Sequence, residues 1–225
     1  MVKFTYYGHS CFLLDDGKYK VLADPFLTGN PLAAIEAGQV ECDYILVSHA
    51  HGDHLGDAAA IAKRTGAMVL AIPEVLGLCE EQAGEIQGHG MNLGGSVKLP
   101  FGKVRMTMAF HSSGVAGGIA CGFVIQIGGI DVYFAGDTAL FHDMKLIGRK
   151  EPIDYALLPI GDNYTMGLED AALAAQWLNA RNVIPIHYNT WPVIQQDAAR
   201  YKELTEQTSR ATVHIVKPGE SLELK

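Results

Sequence analysis

Seven consecutive residues, Ser48-His49-Ala50-His51-Gly52-Asp53-His54, constrain this chain more than any other stretch. Three imidazoles and a carboxylate stand together where an apolar run, Tyr44 to Ser48, meets a helical pattern from about Gly56 to Thr65. In an extended backbone, residues two apart project to the same side, so His49 and His51 can grip one ion from one direction. Asp53 and His54 lie where the chain turns into the helix, so they leave in another direction and can hold a second ion nearby. Gly52 is expected to permit the tight turn between the two pairs. Imidazole and carboxylate are ligands for divalent zinc, manganese and iron. A merely polar, histidine-rich surface loop would need neither the strand before it nor the helix after it.

Two coordination spheres need more donors, and these are expected at strand ends downstream. His111 closes the apolar strand Val104 to Phe110, Asp137 follows the strand Ile130 to Ala135 in FAGDT, and His187 follows Val183 to Ile186 in IPIHYNT. Each alone reads as a hydrogen-bonded polar residue at a strand end. Together they complete one pattern.

Elsewhere, short apolar runs alternate with helical patterns, which predicts sheets covered by helices. Strands are expected at Val2 to Tyr7, Cys11 to Leu14, Lys20 to Ala23, Met68 to Ala71, Val97 to Leu99, Cys121 to Ile127, Tyr155 to Pro159 and Thr212 to Val216, with a last one after Pro218-Gly219. Asp15-Asp16-Gly17 and Gly128-Gly129 read as hairpin turns. Pro73 opens a helix; further helices are expected at Phe141 to Ile147, Glu169 to Leu178 and Gln195 to Gln207, and the polar stretch Glu80 to Gly95 reads as a loop over the site. With 225 residues, 48% of them hydrophobic, and no linker or exact repeat, the expectation is a single domain, residues 1–225, of two β-rich halves with outer helices.

A net charge of -8 and the lack of any basic cluster argue against nucleic acid as a partner. No apolar run approaches bilayer-spanning length and no basic-then-apolar leader opens the chain, so no membrane partner and a cytoplasmic location are expected. Cys11, Cys42, Cys79 and Cys121 have no CxxC spacing and sit among apolar neighbours, which favours buried, reduced thiols.

The ordered series SHAHGDH, strand-end His, GD, strand-end His resembles the metallo-β-lactamase superfamily over nearly the whole chain. The resemblance implies an α/β fold, a four-layer αβ/βα sandwich of two mixed β-sheets flanked by helices, with metals at one edge of the sheets. Carried over by motif, His49, His51 and His111 would hold a first ion, Asp53, His54 and His187 a second, and Asp137 would bridge them. YYGHSCFLL, LADPFLTGNP, GDTALFHDMKLIG, LLPIGDNYTMGLEDA and IPIHYNTWP resemble a family of small metal-dependent hydrolases related to the ascorbate-6-phosphate lactonases. At position 142, where such sequences are expected to carry a small or polar residue, this chain has His142.

The expected chemistry is that of a binuclear hydrolase: two divalent ions, zinc foremost with manganese or iron as alternatives, generate a bridging hydroxide that cleaves a small-molecule ester, lactone or phosphodiester. Asp53 is the expected catalytic residue, both ligand and proton acceptor. Asp24 and His9 are candidates for supporting the ligands, and Asp162, Asn163 and Asn189 for orienting substrate. Tyr188 and Trp191 could line the pocket, whereas Trp177, His89 and His214 read as structural. The alternatives are a metal-braced binding or regulatory module and a nucleic-acid phosphodiesterase, and a homo-oligomer is compatible with the resemblance.

Overall fold

The computed structural model describes residues 1–150 and 152–225, and its strands form two seven-stranded sheets. The first holds β1 (Val2–Gly8), β2 (Cys11–Asp15), β3 (Lys20–Ala23), β4 (Tyr44–Leu46), β5 (Met68–Ala71) and β6 (Gly88–Gly90). The second holds β7 (Ser96–Leu99), β8 (Gly102–Met108), β9 (Cys121–Ile127), β10 (Ile130–Phe134), β11 (Tyr155–Pro159), β12 (Asn182–Ile186) and β13 (Thr212–Val213). The final strand, β14 (Ser221–Leu224), returns to the first sheet and pairs antiparallel with β1, Val2 opposite Leu224.

The sheet orders, β14-β1-β2-β3-β4-β5-β6 and β13-β12-β11-β10-β9-β8-β7, contain the same pairing sequence. Read from β14 in the first sheet and from β7 in the second, three antiparallel pairings are followed by three parallel ones. The chain therefore repeats one supersecondary plan, although its sequence shows no repeat: pairing needs only apolar alternation and turns, and many side chains supply those.

Period-two alternation explains the layering. In β11, Tyr155 and Leu157 point into the core between the sheets, while Ala156 and Leu158 point into a second core beneath the helices. In β9, Phe123 and Ile125 face inward and Val124 outward. Strands buried on both faces read as continuous apolar runs, as these do. The helices are α1 (Gly52–Leu55), α2 (Ala58–Thr65), α3 (Pro73–Ala83), α4 (Met144–Lys150), α5 (Leu168–Leu178) and α6 (Ala198–Thr208). On the second sheet, α5 presents Ala171, Ala174 and Ala175, whose short side chains let it sit close, and α6 contributes the fully buried Tyr201.

Several expectations are corrected. The helix expected from about Gly56 runs over Ala58–Thr65, and an unexpected short helix, Gly52–Leu55, precedes it; the two are parted at Gly56 (φ 40°), where the chain meets the 25–28 segment. A Cβ there would lie 2.4 Å from the Pro25 carbonyl oxygen, and Asp57 accepts from the Leu27 and Thr28 amides. Gly52 itself has helical backbone with open space around it, so the turn does not depend on its conformational freedom. The stretch Glu80 to Gly95 does not cover the site: it ends α3, adds β6 to the sheet edge and contributes no cleft-lining residue. The sixth helix starts late, at Ala198, since Pro192–Ile194 forms a 3-10 turn and Asp197 caps the helix through the Ala199 and Arg200 amides. No helix among the described residues is long and apolar enough to cross a membrane.

Candidate metal centre

The segment leaving β4 is anchored before any ligand is considered. Asp24, just past β3 with a left-handed backbone (φ 37°), accepts from the Ser48 amide at 2.8 Å and the Ser48 hydroxyl at 2.6 Å. Since that hydroxyl gives its proton to Asp24, its oxygen accepts from His49 Nδ1 at 2.9 Å. His54 Nδ1 donates to the same carboxylate at 2.6 Å. Both rings therefore hold a proton on Nδ1 and turn Nε2 inward, the arrangement that fixes a metal-ligating imidazole. Asp24, Ser48, His49 and His54 are all fully buried.

Two groups of donors converge. Ligand atoms of His49, His51 and His111 lie within 4.8 Å of one another, as do those of His9, Asp53, His54 and His187. His49 Nε2 and His51 Nδ1 are 2.9 Å apart. The loop carrying His111 docks onto the histidine segment through the Ala50 amide and the Ser113 carbonyl, 2.8 Å apart. Asp137 stands between the groups, its Oδ2 3.2 Å from His54 Nε2, 3.1 Å from His187 Nε2 and 3.6 Å from His111 Nε2.

Electrostatics keep both carboxylates of the site ionised. Burial opposes charge on Asp137, yet the His187 and His54 rings outweigh it and hold the carboxyl well below its usual range. Burial likewise opposes ionisation of Asp53, and the neighbouring His187 and His9 imidazoles outweigh it. Burial pushes His49 down to about 2 and His9 to about 4, keeping both rings neutral. Burial also works against charge on His187, but Asp137 lifts it to about 9. His54 Nε2, Asp137 Oδ1 and both ring nitrogens of His187 are buried without an aligned hydrogen-bond partner. Buried polar atoms of this kind require an explanation, and an all-nitrogen-and-oxygen donor set suits zinc, manganese or iron. The residues fit the metals that the sequence implies.

His9, held at φ 58° after β1, donates through Nε2 toward Asp53 Oδ2 at 3.1 Å, with Thr190 Oγ1 2.7 Å from Nδ1. Asp162 and Asn163 sit in a left-handed turn, where the Asp162 carbonyl accepts from the Thr165 amide, and Asn189 closes its own loop by accepting from the Gln196 amide. None of the three lines the cleft. From the same loops Tyr164 and Trp191 do, together with His51, Asp53, His111, Ser112, Asp137 and His187, around about 370 Å³. A larger groove, about 550 Å³ along Leu27, Thr28 and residues 33–39, holds none of the metal-ligating groups. Sequence reasoning missed Ser48, Ser112, Tyr164 and Thr190; each lies within two residues of a named candidate, which is the only signal that marked them. His142 is exposed two residues before α4, its ring 5.7 Å from that of Trp177 and apart from the site.

Comparison with known proteins agrees with this geometry. The model of a beta-lactamase superfamily domain matches residues 3–187. UPF0173 metal-dependent hydrolases from Heliobacterium modesticaldum and Pelotomaculum thermopropionicum are 48% and 49% identical, over 100% and 99% of this chain and 98% and 100% of theirs. The structure of Igni18, described as a metallo hydrolase from Ignicoccus hospitalis, superposes with a TM-score of 0.91 at 39% identity, covering 100% of this chain and 99% of that one. Matching in sequence over its whole length and in fold, this chain belongs to the UPF0173 metal-dependent hydrolases of the metallo-β-lactamase superfamily.

Proposed function

We propose that the chain is a binuclear hydrolase that cleaves a small-molecule ester, lactone or phosphodiester. His49, His51 and His111 would hold one divalent ion, Asp53, His54 and His187 the other, and Asp137 would join them, with zinc the first candidate and manganese or iron the alternatives. The observation that carries this reading is the position of Asp137 Oδ2, within 3.6 Å of an Nε2 from His54, His187 and His111. One carboxylate oxygen thus faces both groups of imidazoles.

Bound there, the cations would acidify water and polarise the oxygen of the scissile carbonyl or phosphoryl group. The protein supplies the rest. Asp53, a quarter exposed to the cleft and held by His9, orients the attacking water and takes up its proton at the carboxylate. The Asp24 and Ser48 anchors keep the His49 and His54 rings from rotating, so the donors are in place before substrate arrives. Neither a serine nor a cysteine nucleophile is needed.

The test is to purify the protein without chelators, measure metal per chain, and assay a lactone panel beside a bis(aryl) phosphodiester. The expected result is about two ions per chain and turnover of one class. Two ions with no turnover of either class, after zinc or manganese is added, would refute the hydrolase and leave a metal-braced binding module.

A further inference from the structure

The cations of this chain avoid the edge at which the cleft opens. Residues 9–10, 24–43, 47–57, 109–120, 135–143, 160–167 and 187–197 leave β1, β3, β4, β8, β10, β11 and β12 there, and contain neither lysine nor arginine, although the chain has 17. Lys217, on the connection from β13 to β14, does not line the cleft. Lys145 is turned onto the helical layer, its ammonium 4.5 Å from the Trp177 ring centroid.

What this edge offers instead is apolar and aromatic. Tyr164 lines the cleft and is 54% exposed; Phe110, which precedes His111, is 57% exposed, and Val193, two residues past Trp191, is 51% exposed. Trp191 is fixed by ring packing against His9 at 4.9 Å and Phe26 at 6.1 Å. Exposed apolar groups gathered beside a cleft mark a surface that binds an apolar ligand group. A phosphate carried away from the scissile bond, in contrast, calls for an arginine fork or a lysine. Here the charged side chains lining the cleft, apart from imidazoles, are the carboxylates of Asp53 and Asp137.

We propose that the cleft takes an uncharged ester or lactone whose apolar group lies against the Tyr164 and Trp191 rings, and that it discriminates against substrates bearing a phosphate elsewhere. This rests on the hydrolase reading above. The acyl carbon–oxygen bond breaks, water gives its hydroxyl to the acyl carbon, and its proton goes to the leaving alkoxide.

The experiment uses the metal-loaded protein on p-nitrophenyl acetate, butyrate and hexanoate, and on an alkyl-substituted lactone with and without a terminal phosphomonoester on its chain. The expectation is a rise in kcat/KM of about threefold per methylene and a preference of about tenfold or more for the unphosphorylated lactone. Tyr164→Ala should flatten the chain-length dependence, and Tyr164→Lys should narrow the preference against phosphate. Tyr164 is exposed, so neither change threatens the fold. Equal rates along the ester series, or equal or better turnover of the phosphorylated lactone, would overturn this inference alone. No turnover of any ester or lactone by protein holding two ions would overturn the hydrolase reading and this inference with it.

Discussion

His9 Nε2 lies 3.1 Å from Asp53 Oδ2, and that one contact decides what His9 is for. It belongs geometrically to a group of four potential ligands with Asp53, His54 and His187. An ionised carboxylate only accepts, so Nε2 must carry the proton and cannot also bind a cation. Burial keeps the ring neutral, which leaves Nδ1 bare to accept from the Thr190 hydroxyl at 2.7 Å. His9 therefore positions Asp53. His9→Ala should lower kcat by about 10- to 100-fold while both ions stay bound, and His9→Gln, which keeps a donor, should recover part of the loss. Loss of one ion from His9→Ala, to the extent seen with His187→Ala, would make His9 a ligand instead.

Asp53 keeps a quarter of its side chain exposed, and no core packing depends on it. Asp53→Ala should abolish hydrolysis while leaving the thermal unfolding of the metal-free protein within about 1 kcal/mol of the parent. A variant that keeps full activity would remove Asp53 from the mechanism.

Asp24 has the opposite profile. It is fully buried and accepts three hydrogen bonds, from the Ser48 amide, the Ser48 hydroxyl and His54 Nδ1. Asp24→Ala would orphan all three donors and should cost about 3–5 kcal/mol of stability. Asp24→Asn, of equal size, should fold but lose about 10- to 100-fold in metal affinity, because its NH2 replaces one oxygen and faces either the Ser48 amide or the Ser48 hydroxyl and His54 Nδ1, all of them donors. Denaturant unfolding and metal titration separate these effects; unchanged affinity in Asp24→Asn would show that the ring of His54 is oriented by other contacts.

The donor sites were legible in the sequence because each stands directly after an apolar run, and strand ends at one edge of two packed sheets are brought together by pairing within each sheet and packing between them. The strands of the second half were legible for the same reason. The break at Gly56 was not, because it is imposed by Pro25, thirty-one residues away in sequence, and no local pattern encodes that approach. Thr190 and Ser48 were missed on similar grounds: a hydroxyl becomes functional only when a distant group, the His9 ring for Thr190 and the Asp24 carboxylate for Ser48, is folded against it. Asp162 and Asn189 drew attention as polar residues beyond strand ends, yet their positive φ values show side chains chosen for left-handed turns.

The four cysteines are free and buried. Burial pushes the Cys42 thiol up to about 12 and that of Cys79 to about 11, and Cys11 and Cys121 lie well above the usual range. Thiolate is the reactive form, so the native protein should release almost no thionitrobenzoate from Ellman's reagent at pH 8. In denaturant all four should react. Fast labelling of a native thiol would mean that the packing around the cysteines opens readily.

Gly114 offers a way to disturb one half of the centre without touching a ligand. It sits at φ 74°, and a Cβ there would lie 2.8 Å from both the backbone nitrogen and Cδ2 of His51. Gly117, three residues on in the same loop, has φ 77° and nothing within 4 Å of such a Cβ. Alanine at either position carries the same left-handed strain of about 1–2 kcal/mol, but only Gly114→Ala also drives the loop off His51. The expected outcome is that Gly114→Ala weakens the ion held by His49, His51 and His111 while the ion at Asp53, His54 and His187 is retained, whereas Gly117→Ala keeps both. Metal content after dialysis against a weak chelator reads this directly. Equal losses in the two variants would mean that backbone strain alone sets the outcome, and that the contact between this loop and the histidine segment does not support the first ion.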